Sequence, residues 1–353
     1  MSSEGLSSDP ANGTNATPIT EPPGRRKKHW RLVSSLVGYG LIIALALRTI
    51  DKERFIAVLS RLGFTDFAIV LGLIACHIGM RALRYHALTL RARPKHYRLL
   101  DAVRIFLFGL SASVVTPARA GDVIKAELLH EHGVRRAVGL GIVVIERLLD
   151  LLVVTVTIVV SAALLAQKAS RPGLQLGAAI LFTLLVLGGI GISVRSVRAA
   201  VIKVAAGVVS KLTKRVRLSR IEDASHRLFD VWDEVFTSPD TLARYLIVTI
   251  AAWLFDFAKL WVLLNAAGVK VDFVNVLFTY PTSLVAGILT ILPFSEGVVG
   301  VTAVALLSSL SHVDVDTAAA AVGVDRALST LAPLALYLAF AFSSKTPSPL
   351  SRR

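Results

Sequence analysis

Charged side chains inside stretches that are otherwise apolar for the thickness of a bilayer restrict this chain more than any other feature. Ser111 to Asp150 places Pro117, Arg119, Gly121, Asp122, Glu146, Arg147 and Asp150 between or inside apolar runs. A hydrocarbon core about 30 Å thick takes roughly 20 apolar residues as a helix. A charge near its centre costs about 2.5–3.5 kcal/mol on insertion scales, so several together must be paired or face a polar cavity. The layout returns toward the C-terminus. Pro117 to Gly121, followed by Glu146-Arg147, is matched by Pro293 to Gly297, followed by Asp325-Arg326. That correspondence reads as an internal repeat.

Composition supports a polytopic membrane protein over a soluble domain: 54% of the 353 residues are hydrophobic and 18% charged. The spans use up the length, leaving no stretch for a separate soluble catalytic domain. The net charge of +15 suggests nucleic acid at first sight. Most Lys and Arg, however, flank apolar segments, which is the pattern of positive-inside topology and attraction to anionic lipid. The single cysteine, Cys76, excludes an intramolecular disulfide.

Taken in order, residues 1–24 are rich in Ser, Pro, Gly, Asn and Thr and read as a disordered tail. The basic run Arg25 to Arg31 precedes a retained first span, Leu32 to Leu47. A short polar connection, Asp51 to Asp66, leads to a second span, Phe67 to Leu90, which ends among Arg91, Arg93, Lys95 and Arg98. Leu99 to Thr116 is apolar, breaks at Pro117 and Gly121, and continues as an amphipathic stretch through Glu131. That is the pattern of a re-entrant hairpin, whose irregular backbone is tolerated at membrane depth only against protein or a water-filled cavity. A long span, Ala137 to Gln167, and a fourth, Leu174 to Val194, precede a basic segment, 195–240, that reads as a solvated connector or a surface-lying regulatory element. Leu242 to Ala267, a second hairpin from Phe273 to Leu310 broken at Pro293 to Gly297, and Ala318 to Phe342 complete the chain before the tail 344–353.

The expected fold is therefore all-α and polytopic, with six full spans and two re-entrant hairpins in an inverted repeat. The transmembrane domain runs over 25–343, with repeat units at about 66–167 and 241–343. The distribution of basic residues expects both termini in the cytoplasm.

Among the candidate site residues, His77, Arg81 and Arg84 share one helix face at i, i+4 and i+7. They read either as interfacial residues that snorkel or as the lining of a phosphate-binding cavity. Glu146 and Asp150, at i and i+4, would repel each other without a cation between them. Arg119 or Arg147 is expected to supply it, in a structural salt bridge or in a binding site. Asp256 and Lys259, at i and i+3, read as a neutralising pair.

The pattern Pro117, Arg119, Gly121-Asp122, then Glu146-Arg147 and Asp150, resembles the flippase-like membrane family that includes the transmembrane domain of lysylphosphatidylglycerol synthase. The resemblance covers about Val33 to Phe342. The family's second motif is a Pro- and Gly-rich loop, of which Pro293, Ser295, Gly297 and Gly300 are kept. Glu296 stands where a second proline is usual, Val298 for a glycine, and Ala303 where a glutamate is expected. Glu296 then supplies the carboxylate from another position, or this branch handles another substrate.

The resemblance implies a protein of the prokaryotic plasma membrane that binds or translocates lipids or lipid-linked intermediates. It implies no synthase activity, because nothing after Phe342 corresponds to an aminoacyl-transfer domain. The expected substrate has an anionic headgroup, met by Arg81, Arg84, Arg119, Arg147 and Arg326 with Pro117, Gly121, Asp122, Glu146, Asp150, Glu296, Gly297, Gly300 and Asp325 around it. Two competing readings are a polyprenyl-phosphate-dependent glycosyltransferase and an accessory subunit of a lipid-modifying enzyme. The first outer loop offers only Asp51, Glu53 and Asp66 to the former. No metal-ligand spacing, nucleotide loop or nucleophile elbow is found, so no cofactor is expected.

Overall fold

The computed structural model describes residues 52–92, 94–115, 121–169, 177, 180, 183, 238–289 and 295–343. Both tails, the first span, nearly all of the fourth and the basic segment up to residue 237 lie outside the described residues. Among the described residues every regular element is a helix. They are α1 (Lys52–Arg61), α2 (Phe64–Arg91), α3 (Leu99–Val115), α4 (Gly121–Glu131), α5 (Arg136–Ala169), α6 (Pro239–Ala266), α7 (Phe273–Leu289), α8 (Ser295–Ser311) and α9 (Val315–Ser343). Four are long and apolar enough to cross a membrane: α2, α5, α6 and α9. Of the others, α3 and α4 lie on either side of the first expected break and α7 and α8 on either side of the second, while α1 precedes α2.

Local chemistry sets the ends. α2 begins after Gly63, whose N–H donates to the Asp66 carboxylate at 2.9 Å, so the third helical residue reaches back to satisfy an orphan donor. It ends shortly before Pro94, which disfavours helix in the residue ahead of it. α6 starts on Ser238, whose hydroxyl accepts from the Thr241 amide, and carries Pro239 at its first position, where a missing N–H is harmless. Gly133 and Gly268 turn the chain after α4 and α6 at φ 81° and 86°, a region open chiefly to glycine. Pro281 sits within α7, which continues through it to Leu289. One expectation is corrected. The connection Asp51 to Asp66 contains the helix α1, packed against α9.

α2 and α6 form the most extensive helix pair. Arg91 reaches Thr241, Arg84 reaches Thr249, His77 reaches Ala252 and Arg61, just before α2, reaches Ala267. Numbers fall along one helix as they rise along the other, so the pair is antiparallel. Around it, α3 packs on α4 and α9, while α7 packs on α8 and α5. α4 lies on α5 and α8 lies on α9. Exchanging the group α2–α5 with the group α6–α9 leaves this packing scheme unchanged. The approach of α4 to α5 depends on Gly139, where an added Cβ would stand 3.1 Å from the Ala126 Cα.

Candidate functional site

Two clusters of charge lie inside the bundle. The first is built from α2, α4 and α5. Arg81 and Arg84, on the α2 face turned to α6, are 8% and 1% exposed, and Glu146 and Asp150 on α5 are 0% and 5% exposed. Each such group would cost several kcal/mol if buried without a partner. Arg84 binds Asp150 at 2.8 Å and lies 3.5 Å from Glu146, while Arg81 pairs with Asp150 and stands 3.9 Å from Glu146. Lys125 of α4 binds Glu146 at 3.0 Å and Asp122 at 2.9 Å.

Aromatic rings and hydroxyls complete this cluster. The Arg81 guanidinium lies 5.6 Å from the Phe106 ring and 5.8 Å from that of Trp253, and the Lys125 ammonium 4.9 Å from Phe106. From α6, Trp253 donates to Asp150 at 3.3 Å and Thr249 accepts from Arg84 at 2.7 Å. Asp122 also holds Arg147, whose Nε donates at 2.8 Å. Arg147 is the open member, with 34% of its side chain exposed against 12% or less for every other charged group of the cluster. The packing of Lys125 depends on Gly109 of α3, where an added Cβ would fall 2.4 Å from the Lys125 Cγ.

The second cluster joins α6, α7 and α9. Lys259 binds Asp256 at 2.8 Å and Asp325 at 3.0 Å, and donates to Ser329. Arg326 donates to Asp325 through Nε at 2.9 Å and to the Tyr280 hydroxyl, and Tyr280 in turn donates to Asp256 at 2.9 Å. The Tyr280 ring lies 4.7 Å from the Arg326 guanidinium. Glu146-Arg147 and Asp150 of α5 match Asp325-Arg326 and Ser329 of α9 in spacing. Arg81 and Arg84 of α2 match Asp256 and Lys259 of α6.

Several expectations are corrected. Arg81 and Arg84 do not snorkel; both are buried and neutralise Glu146 and Asp150. The cation expected from Arg147 comes instead from α2 and α4, and Arg147 turns to Asp122. Asp122, Glu146, Arg147 and Asp150 are brought together with Arg81 and Arg84, while Asp325 and Arg326 form part of the other cluster. Gly121 opens α4, and Gly297 and Gly300 lie in the first turns of α8. Pro117 and Arg119 lie outside the described residues, as does the side chain of Glu296.

The candidate residues omitted Lys125, Trp253, Thr249, Tyr280 and Ser329. Lys125 had a signal, its i+3 spacing from Asp122 in the hairpin; the aromatic and hydroxyl partners had none outside the fold. A family model described as the lysylphosphatidylglycerol synthase TM region matches residues 31–336. No curated protein matches the chain.

Proposed function

Because the chain belongs to the lysylphosphatidylglycerol synthase transmembrane-region family, we propose that this multi-pass membrane protein takes an anionic phospholipid or polyprenyl-phosphate-linked headgroup into its polar interior and moves it between leaflets. Membership relates it to membrane domains of lipid modification or transport. The charge balance of the α2–α4–α5 cluster carries the more specific reading. Among the described residues four cations, Arg81, Arg84, Lys125 and Arg147, meet three carboxylates, Asp122, Glu146 and Asp150. The excess of one positive charge among these groups, carried at the open member Arg147, would be relieved by one phosphate.

Arg147 is the group that receives it. Its planar fork suits phosphate oxygens, and its present partner, Asp122, is retained by Lys125 when Arg147 lets go. The headgroup then exchanges with a carboxylate, leaving no charge without a partner while the acyl tails stay in lipid. The antiparallel α2–α6 pair and the exchangeable packing scheme support two inverted units, with the clusters toward opposite faces and access alternating between them. In this reading the protein transports and does not catalyse, resides in the plasma membrane with both termini in the cytoplasm, and serves a lipid-modifying enzyme.

The test is movement of fluorescent phosphatidylglycerol in proteoliposomes. Arg147→Ala, folded by gel filtration and circular dichroism, is expected to slow movement at least about tenfold, the factor that about 1.4 kcal/mol gives in a rate. An unchanged rate would remove Arg147, and with it this mechanism.

A further inference from the structure

The open surface of α5 changes sides partway along the helix. Over its first half it is a stripe at i, i+4, i+7 and i+11, formed by Leu140, Val144, Arg147 and Leu151. The apolar members are 41, 40 and 47% exposed, while Ile142, Ile145 and Leu149 on the opposite face are buried. Past Thr155 the pattern inverts. Ile158 and Ala162, which continue the line of the stripe, are buried, and Val156, Val160 and Leu164 on the other face are exposed. The stripe is therefore a bounded patch about 16 Å long with Arg147 inside it.

The same helix gives the depth of this patch. The exposed Arg136–Glu127 pair belongs in water and marks the wet end of α5. Arg147 lies about 16 Å farther along the axis, at the helical rise per residue. A hydrocarbon core is about 30 Å thick, so the stripe meets acyl chains. A water-filled cavity would be lined by polar groups, whereas Val144 and Leu151, which flank Arg147 on the open face, are apolar. An ionisable side chain in such a place marks a ligand path.

We infer that this stripe is a lateral portal, where a phospholipid leaves the bilayer with its phosphate on Arg147 and an acyl chain laid along Leu140, Val144 and Leu151. The inference rests on the function proposed above and adds the route by which the headgroup arrives. Arg147 is held by Asp122 on the protein side, through its Nε at 2.8 Å, and 34% of its side chain remains open. A phospholipid complements both parts of the patch with one molecule. Its phosphate meets the guanidinium bidentately, and the chain attached to it covers the apolar side chains around Arg147. An apolar protein segment laid on the stripe would supply the second without the first.

The experiment places the photo-cross-linker p-benzoylphenylalanine at Val144 or Leu151, and for comparison at Val160 or Leu164, in the full chain. The nanodiscs hold equimolar phosphatidylglycerol and phosphatidylcholine with identical acyl chains, so the captured lipid reports which headgroup each position favours. At Val144 and Leu151 phosphatidylglycerol is expected to be captured at least about tenfold over phosphatidylcholine, the factor that a hydrogen bond to a charged group gives. At Val160 and Leu164 the two lipids should appear in their bulk ratio, and Arg147→Ala should restore that ratio at the stripe. The comparison between positions does not need this variant and holds if Arg147→Ala fails to fold. Bulk ratios at every position, an enrichment that survives Arg147→Ala, or cross-links to a second copy or another segment of the chain overturn the inference. The proposed function then stands if phosphatidylglycerol still moves in proteoliposomes in an Arg147-dependent way. No movement of phosphatidylglycerol, together with bulk ratios at the stripe, overturns both.

Discussion

The two charge clusters share a plan and differ in their balance. Each sets an acid-Arg pair on one long helix, with a polar residue four positions on, against two charges spaced i and i+3 on another. In the α6–α7–α9 cluster those two positions are Asp256 and Lys259, which neutralise each other at 2.8 Å, and the whole cluster holds two cations and two carboxylates among the described residues. In the α2–α4–α5 cluster both positions are arginines, so Asp150 stands where the other has Ser329, and α4 adds Lys125 and Asp122. A balanced cluster of this kind joins helices. Among the described residues the first cluster carries one cation more than its carboxylates and the second does not, and in the proposed function this difference is what supports placing the headgroup at the first.

The comparison breaks most visibly at Glu146. It is fully buried among Arg81, Arg84 and Lys125, so Glu146→Gln leaves three cations around one carboxylate, Asp150, and a shared Asp122. The expected loss is about 3–5 kcal/mol, that of orphaning a buried charge, seen as failure to give monodisperse protein in detergent.

The balanced cluster should respond differently to paired changes. Lys259→Met alone sets Asp256 and Asp325 without their common cation and is expected to cost about 3 kcal/mol. Adding Asp256→Leu removes the orphan and leaves Asp325 with Arg326. The double variant should then unfold at least about 2 kcal/mol later than the single in a denaturant series, because contacting residues couple strongly. Additive losses would show that this cluster is not a self-contained set of pairs.

Gly109→Ala sharpens the comparison without touching a charge. Its Cβ would meet the Lys125 stem at 2.4 Å, so the ammonium must leave Glu146, Asp122 or both. We expect a destabilisation of about 1–3 kcal/mol, as for overpacking elsewhere, together with weaker binding of phosphatidylglycerol. The smallest effect belongs to Arg136→Ala. Arg136 binds Glu127 at 2.6 Å with both side chains largely exposed, and solvent screens such a pair. Its melting curve should overlay that of the wild type.

The charges were legible in the sequence because they interrupt apolar runs, and separate helices do lie on either side of the expected breaks, α3 and α4 about the first and α7 and α8 about the second. Their partners were harder to read. Helical spacing showed that Arg81 and Arg84 share a face, but which helix that face meets is decided by the α2–α6 packing. Adjacency in sequence favoured Arg147 for Glu146, yet consecutive residues on a helix point about 100° apart, which sends Arg147 toward Asp122. α1 was missed because a ten-residue helix is marginal alone and is held by α9, more than 250 residues downstream.

The crossed packing of the hairpins has a consequence for biosynthesis. α3 rests on α9, about 200 residues later, which is roughly ten to forty seconds at ordinary rates of translation. During that interval the first hairpin waits in the bilayer without its apolar neighbour. Its charges do not wait, because Arg81, Arg84, Lys125, Glu146 and Asp150 all emerge before α6 and can neutralise one another as soon as α5 is made. Electrostatic closure within each half and apolar closure between halves thus divide assembly into two stages, the second of which starts with α2 against α6 and is finished only when α9 has been made.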